Sequence, residues 1–188
     1  MSGRLILVTG GSGSGKSAYA ERTLLSRMPA DGEGRAVYLA TMENTGQEAA
    51  ERVARHRAMR ARHAAQAGHS FVTLEQPVDL GAVPILPGDY VLLEDLGNLL
   101  ANECWSPAGT GDETRILSGI HALLERAALL AVVSVEIFSD GCAYDSDTLR
   151  YLRALGRLHR ALAPLAEEVT EVVCGIPLTQ RPGDALYR

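Results

Sequence analysis

Gly10-Gly11-Ser12-Gly13-Ser14-Gly15-Lys16-Ser17 decides how the rest of this chain is read. It fits G-x-x-x-x-G-K-[ST] without a mismatch. On its amino side runs Arg4-Leu-Ile-Leu-Val-Thr9, a short apolar run rich in β-formers. On its carboxyl side Ala18 to Arg27 reads as a helix with Ala20, Leu24 and Leu25 on one face. Strand, glycine-rich loop and helix are the context in which this motif carries meaning. Glycines let successive backbone N–H groups converge on a phosphate at φ values that side chains disfavour. A helix beginning where the loop ends adds its partial positive charge. Lys16 is then expected at the β- and γ-phosphates of ATP or GTP, and the Ser17 hydroxyl as a ligand of Mg²⁺. A plain flexible turn would need neither the Lys-Ser pair nor these flanks.

Composition narrows the partners. The 188 residues are enough for one domain, 1–188, with a sizeable core, and 46% hydrophobic content is ordinary for a globular chain. Eighteen Lys and Arg stand against 23 Asp and Glu, a net charge of −5. No basic run stands alone, so nucleic acid is not an expected partner. Cys104, Cys142 and Cys174 are odd in number and far apart, which suggests reduced thiols and not a disulfide scaffold or a zinc site. The N-terminus runs straight into a strand, and Ala127 to Val135 is too short to cross a bilayer. A cytoplasmic protein with no membrane span is the expectation.

Outward from the loop, Ala36-Val-Tyr-Leu-Ala40 reads as a second buried strand ending at Thr41-Met42. Parallel α/β sheets bind ligands at the carboxyl ends of their strands, so Thr41 and Met42 are expected to face the nucleotide. From Thr45 the chain turns polar and helical, with Glu48–Arg52 and Glu51–Arg55 spaced as i,i+4 pairs. His56 sits between Arg55 and Arg57 with Arg60 one turn on, and like charges bias its imidazole towards neutral. A neutral imidazole near phosphates is a candidate nucleophile or acid–base group. An ordinary surface histidine is the other reading of that pattern.

Phe71 to Glu75 is a short strand, and Val78 to Pro87 reads as connection. Tyr90-Val-Leu-Leu-Glu94-Asp95 is a buried strand ending in acid, where a phosphate-loop enzyme holds Mg²⁺. Glu94 is favoured for that role; a strand-end carboxylate capping the next helix is the alternative. Leu96 to Cys104 reads as a helix with Asn98 and Asn102 one turn apart, and Trp105 to Asp112 as a loop. Glu113 to Ala128 is an amphipathic helix, and Leu129 to Glu136 a central strand ending in another carboxylate. A long helix from Ser146 to Leu165 and a last strand from Val169 to Val173 follow, with Gly175-Ile-Pro177-Leu opening a short tail. The alternation predicts an α/β, P-loop NTPase-like fold: a mostly parallel central sheet with helices on both faces.

In order along the chain stand Gly10–Ser17, Arg52-Val-Ala-Arg-His56-Arg57, Val72-Thr-Leu-Glu75, Leu92-Leu-Glu94, Val133-Ser-Val-Glu136 and Glu171-Val-Val-Cys-Gly175-Ile-Pro177. Together they resemble the bifunctional adenosylcobinamide kinase/adenosylcobinamide-phosphate guanylyltransferases of cobalamin biosynthesis, over nearly the whole chain. The resemblance implies phosphorylation of adenosylcobinamide by a nucleoside triphosphate. It then implies transfer of GMP from GTP to adenosylcobinamide phosphate through a GMP–histidine intermediate, releasing pyrophosphate. The matching histidine is His56. Glu75 and Glu94 match positions that contact the guanine nucleotide or its metal, Thr41 and Met42 the loop after the second strand, and Arg57, Ala58, Met59 and Arg60 the segment following the histidine. The family also implies a homotrimer.

Three departures stand out. Many members carry Arg inside the loop where this chain has Gly13, and Asn before the strand-end Glu where it has Val135. Ala61 to Ser70 is a few residues longer than usual, which leaves His63 and His69 as alternative nucleophiles. Two other readings of the residues remain: a P-loop kinase for another small metabolite with no guanylyltransferase activity, or a regulatory nucleotide-sensing NTPase.

Overall fold

Strands form here where apolar runs carry no polar alternation, and helices where apolar residues recur every three or four positions. The computed structural model describes residues 3–30, 33–42, 58, 61, 64–65, 68–139 and 141–181. In chain order the elements are β1 (Arg4–Gly10), α1 (Lys16–Ser26), β2 (Ala36–Ala40), β3 (Phe71–Glu75), β4 (Tyr90–Glu94), α2 (Leu96–Trp105), α3 (Glu113–Arg126), β5 (Leu129–Val135), α4 (Ser146–Leu162), β6 (Glu168–Val173) and β7 (Ile176–Gln180). Single 3₁₀ turns occupy Leu80–Ala82 and Ala163–Leu165.

The seven strands make one sheet in the order β3-β2-β4-β5-β1-β6-β7, parallel except for β7, which runs antiparallel to β6. This is the α/β, mostly parallel architecture expected from the sequence. Its consequence for function lies in three neighbours. β4, β5 and β1 stand side by side, with Leu93 opposite Val132 and Gly10 opposite Val135. Their carboxyl ends therefore bring Glu94, Glu136 and the Gly10–Ser17 loop to one edge of the sheet.

Side chains alternate across each strand, and each face has its own core. On one face Leu5, Leu7, Val91, Leu93, Leu130 and Val132 pack against α2, α3 and α4 through residues such as Leu99, Ile120 and Leu155. On the other, Ile6, Val8, Leu92, Ala131 and Val133 pack against Ala20, Leu24 and Leu25 of α1. Each fully buried aliphatic side chain is worth about 1.5–3 kcal/mol relative to exposure. These layers fix where the loop and the acid end of β4 meet.

Several boundaries differ from the sequence reading. Trp105 ends α2 instead of opening a loop, and the connection after β3 buries Leu80, Val83 and Ile85 in the core. The expected tail at Gly175 is strand β7, turned back by Cys174 and Gly175 at φ 50 and 83, the paired positive φ of a type I′ hairpin. Pro177 is tolerated in it because β7 is an edge strand. The helix expected from Thr45 falls mostly outside the described residues. Among the described residues no helix is long and apolar enough to cross a membrane.

Candidate active site

α1 begins at Lys16, directly after the glycine loop, and it begins unlike α2, α3 and α4. Asp95 caps α2 by accepting from the Asn98 N–H at 2.7 Å, Asp112 caps α3 through the Thr114 N–H, and Asp145 caps α4 through the Thr148 N–H. α1 has Gly15 at its N-cap, at φ 91, with no side-chain cap. Its first N–H groups are left without a side-chain acceptor, which is the arrangement that receives an anion. Glycine at that cap supplies the left-handed φ. Within the loop the Ser14 N–H donates to Gly11 O at 3.2 Å, and the β6–β7 turn braces it from outside, the Gly175 N–H donating to Ser14 O at 2.9 Å. Lys16 Nζ rests on Gly11 O at 3.3 Å. Ser12 and Gly13 are exposed at the rim, and the buried Ser14 Oγ has no hydrogen-bond partner among the described residues.

Facing the loop is the end of β4. Ser17 Oγ donates to Glu94 Oε1 at 2.6 Å, while Glu94 Oε2 is buried without a hydrogen-bond partner among the described residues. Burial pushes the Glu94 carboxyl up to about 7; the Ser17 hydrogen bond and Lys16 pull it down, and Asp95 pushes it further up. A buried acid with an orphaned oxygen, next to a hydroxyl and a lysine, is a position that gains from a cation. The donor set, one carboxylate and one hydroxyl, fits Mg²⁺ that keeps its remaining ligands from phosphates and water. Among the described residues no group of three or more His, Cys, Asp or Glu side chains stands ready to hold a metal by itself. Such an ion would come with the nucleotide.

Asp95 does the other strand-end job, the cap of α2, and burial raises its carboxyl above the ordinary range. The Glu94–Asp95 peptide is cis. Thr41 braces this turn. Fully buried, its Oγ1 accepts from the Asp95 N–H at 2.9 Å and lies 2.9 Å from Asp95 O, and its own N–H donates to Glu94 O at 3.0 Å. The Thr41 hydroxyl is thus used on the β4–α2 turn, at the carboxyl end of β2 where the sequence places Thr41 and Met42. Asn102 donates to Thr41 O at 2.7 Å and to Pro77 O at 3.0 Å, tying the ends of β2 and β3 to α2. Tyr151 of α4 donates to Gly97 O at 3.1 Å, and burial raises its phenol to about 12.

The remaining expected site residues are placed as follows. Met42 is half-buried at the carboxyl end of β2. Glu75 ends β3, separated from Glu94 by Ala40 in the ladder, so their strands lie roughly 10 Å apart. Ala58 is helical and exposed. His56, Arg57, Met59 and Arg60 lie outside the described residues, as does His63. His69 stands just before the amino end of β3, at the opposite edge of the sheet from the loop, on a cavity of 330 Å³ with Phe71 and Thr73 in its lining. That position removes it as an alternative nucleophile at this site. Thr41 as a brace, Asn102 and Tyr151 were not assigned from sequence; the only signal was the spacing of Asn98 and Asn102.

The profile of the family described as cobinamide kinase / cobinamide phosphate guanyltransferase matches residues 6–180. A bifunctional adenosylcobalamin biosynthesis protein, CobP, of Pseudomonas aeruginosa is 33% identical over 178 residues, covering 92% of this chain and 94% of its own. The bifunctional adenosylcobalamin biosynthesis proteins CobU of Escherichia coli and Salmonella typhimurium are each 29% identical, covering 92% of this chain and 97% of theirs.

Proposed function

This chain belongs to the cobinamide kinase / cobinamide phosphate guanyltransferase family, and we propose that it carries out both reactions at the Gly10–Ser17 and Glu94 site. In the first, ATP or GTP phosphorylates the aminopropanol hydroxyl of adenosylcobinamide. In the second, GMP passes from GTP to adenosylcobinamide phosphate, giving adenosylcobinamide-GDP and pyrophosphate. The observation that carries the assignment is the 2.6 Å contact between Ser17 and Glu94, with the second Glu94 oxygen buried and unpartnered beside Lys16.

Phosphoryl transfer asks mainly for positioning and charge stabilisation. The loop N–H groups and the uncapped start of α1 seat the phosphates. Lys16 leaves Gly11 O for the β- and γ-phosphates, where charge develops. Ser17 and Glu94 would hold Mg²⁺, which supplies neutralising charge at the phosphate oxygens when bound. Thr41 and Asn102 keep the Glu94 backbone in place, and Thr41, Met42, Glu75, Arg57, Ala58, Met59 and Arg60 complete the nucleotide contacts that the family resemblance implies. For the second reaction, neutral His56 attacks the α-phosphorus of GTP; a phosphorus–nitrogen bond forms and pyrophosphate leaves. The acceptor phosphate then takes the GMP and frees the histidine. We further propose a homotrimer that works in the cytoplasm.

Incubation with labelled GTP, Mg²⁺ and adenosylcobinamide tests this reading. With GTP and Mg²⁺ before the acceptor is added, one acid-labile, alkali-resistant GMP label per chain is expected on His56; adding adenosylcobinamide should then yield phosphorylated and guanylylated products. His56→Ala should lose the label and the second product and keep the first. A label that persists in that variant would sink the His56 assignment. A wild type that phosphorylates but never labels or guanylylates would make this a plain kinase.

A further inference from the structure

The two reactions differ in what they ask of a base. Phosphorylating a hydroxyl releases a proton, whereas the acceptor in guanylyl transfer is already a phosphate anion. None of the residues assigned so far receives that proton: Lys16 is a cation and His56 belongs to the second step. Three strands around the site end in carboxylates. Glu94 is buried on Ser17, and Asp95 beside it caps α2. Glu75 lies two strands out from β4. Glu136 is left, and its position is distinctive.

β5 runs between β4 and β1, so Glu136 follows the strand that separates Glu94 from the phosphate loop. Its N–H donates to Gly10 O at 2.9 Å, which fixes it to the first residue of that loop. Its carboxylate is held by one oxygen: Oε1 accepts from the Phe138 N–H at 2.9 Å and from Ser139 Oγ at 3.0 Å. Oε2 makes no hydrogen bond with the described residues, and the residue is only half-buried. Behind it, His159 Nε2 meets Ser134 Oγ at 2.7 Å, and the Phe138 ring packs edge-on against the His159 imidazole with centroids 5.7 Å apart. The turn carrying Glu136 is therefore anchored on two sides, while one carboxylate oxygen remains open.

We propose that Glu136 is the proton acceptor for the hydroxyl phosphorylated in the first reaction and has no part in the second; this rests on the two-step reading above. The hydroxyl oxygen bonds to the γ-phosphorus as the bond from that phosphorus to the β-phosphate oxygen breaks. The nucleoside diphosphate leaves, and the hydroxyl proton moves to Glu136 Oε2 and on to solvent.

A structural role and a base role separate cleanly by substitution. Glu136→Gln keeps an amide oxygen that still accepts from Phe138 and Ser139, but removes the basic oxygen. It should lower kcat for phosphorylation of adenosylcobinamide by about 10²-fold, the ordinary scale of a positioned base, with KM for both substrates unchanged. Guanylylation of adenosylcobinamide phosphate, supplied already phosphorylated, should proceed at the wild-type rate, as should GMP labelling. Glu136→Ala breaks the turn as well and should lower both rates. Wild-type phosphorylation by Glu136→Gln would overturn the proposal, and so would equal loss of both reactions. A wild type that does not phosphorylate adenosylcobinamide at all would instead overturn the functional reading, and this inference with it.

Discussion

The loop Gly10–Ser17 presents backbone N–H groups, a lysine and hydroxyls at the carboxyl edge of the sheet, whereas the facing turn Glu94–Asp95 is held by side chains from elsewhere in the chain. Thr41 reaches it from the end of β2, Asn102 through Thr41 from α2, and Tyr151 from α4 through Gly97. The loop side chains carry little of the fold: Lys16 bonds one carbonyl, and Ser14 Oγ makes no hydrogen bond with the described residues. The turn side chains satisfy backbone groups that are otherwise buried. The contrast teaches where activity and stability separate. Changes in the loop should remove chemistry from an intact protein, and changes in the side chains that brace the turn should cost both.

Lys16→Ala should give the largest effect. A charge-assisted contact to a phosphate whose charge grows in the transition state is worth a few kcal/mol, about 10²–10³-fold in the phosphorylation rate. The melting temperature should stay at the wild-type value, because in the folded protein the lysine side chain makes a single 3.3 Å hydrogen bond, to Gly11 O. Rate measurements beside a thermal melt check both halves. A drop of several degrees would place the lysine among the structural residues and break the contrast.

Glu94→Gln comes next, with Mg²⁺-dependent turnover falling about 10- to 100-fold through loss of a charged ligand. Its stability effect has a definite sign. The folded carboxyl is raised from 4.5 to about 7 by burial, so the native state holds a proton that the unfolded chain has released. That favourable contribution is present at low pH and is lost as pH rises through about 7. At about pH 8 the amide variant should therefore melt no lower than wild type. Asp95→Asn, by contrast, touches the cap of α2; if it alone abolishes turnover, the acid that serves the metal is Asp95.

Thr41→Val should cost less activity, under about 10-fold, yet more stability. Removing the hydroxyl leaves the Asp95 N–H buried without its 2.9 Å acceptor, a loss of about 1–3 kcal/mol. Denaturant titration with kinase assays on the same preparation reads both. A variant as stable as wild type would mean that the turn does not depend on this brace.

The same contrast explains what could be read from the sequence. The loop was legible because its eight residues are contiguous, and Glu94 because an apolar strand leads directly to it. The braces were not. Thr41 meets Asp95 across 54 positions and Asn102 meets Thr41 across 61, and no local pattern encodes such a pairing. The sequence puts Thr41 at the carboxyl end of its strand, where parallel sheets ordinarily meet ligand, but it carries no sign that the hydroxyl bonds the β4–α2 turn. β7 was hidden by Pro177, which argues against a strand unless the edge position is known. The Cys174-Gly175 turn was its one local signal, and it lacks the Asn-Gly or Asp-Gly form that marks a hairpin most strongly. His69 stays a candidate on sequence alone, because distance along the chain says nothing of which end of a strand a residue occupies.

The smallest effect tests how far side-chain bracing extends along the sheet. His159 holds the end of β5 through Ser134, one strand over from Glu94. Burial lowers its imidazole from 6.5, with Glu136 opposing. The folded protein therefore binds fewer protons here than the unfolded chain once pH falls below about 6.5, so stability drops as pH falls through that value and levels off below the lower folded one. His159→Gln keeps a polar group within reach of Ser134 and cannot titrate. Compared between about pH 7.5 and 5, wild type should lose more melting temperature than the variant, with equal phosphorylation rates near neutrality. Parallel curves would show that this histidine is accommodated in both protonation states, and the bracing seen at Glu94–Asp95 would then stop at β4.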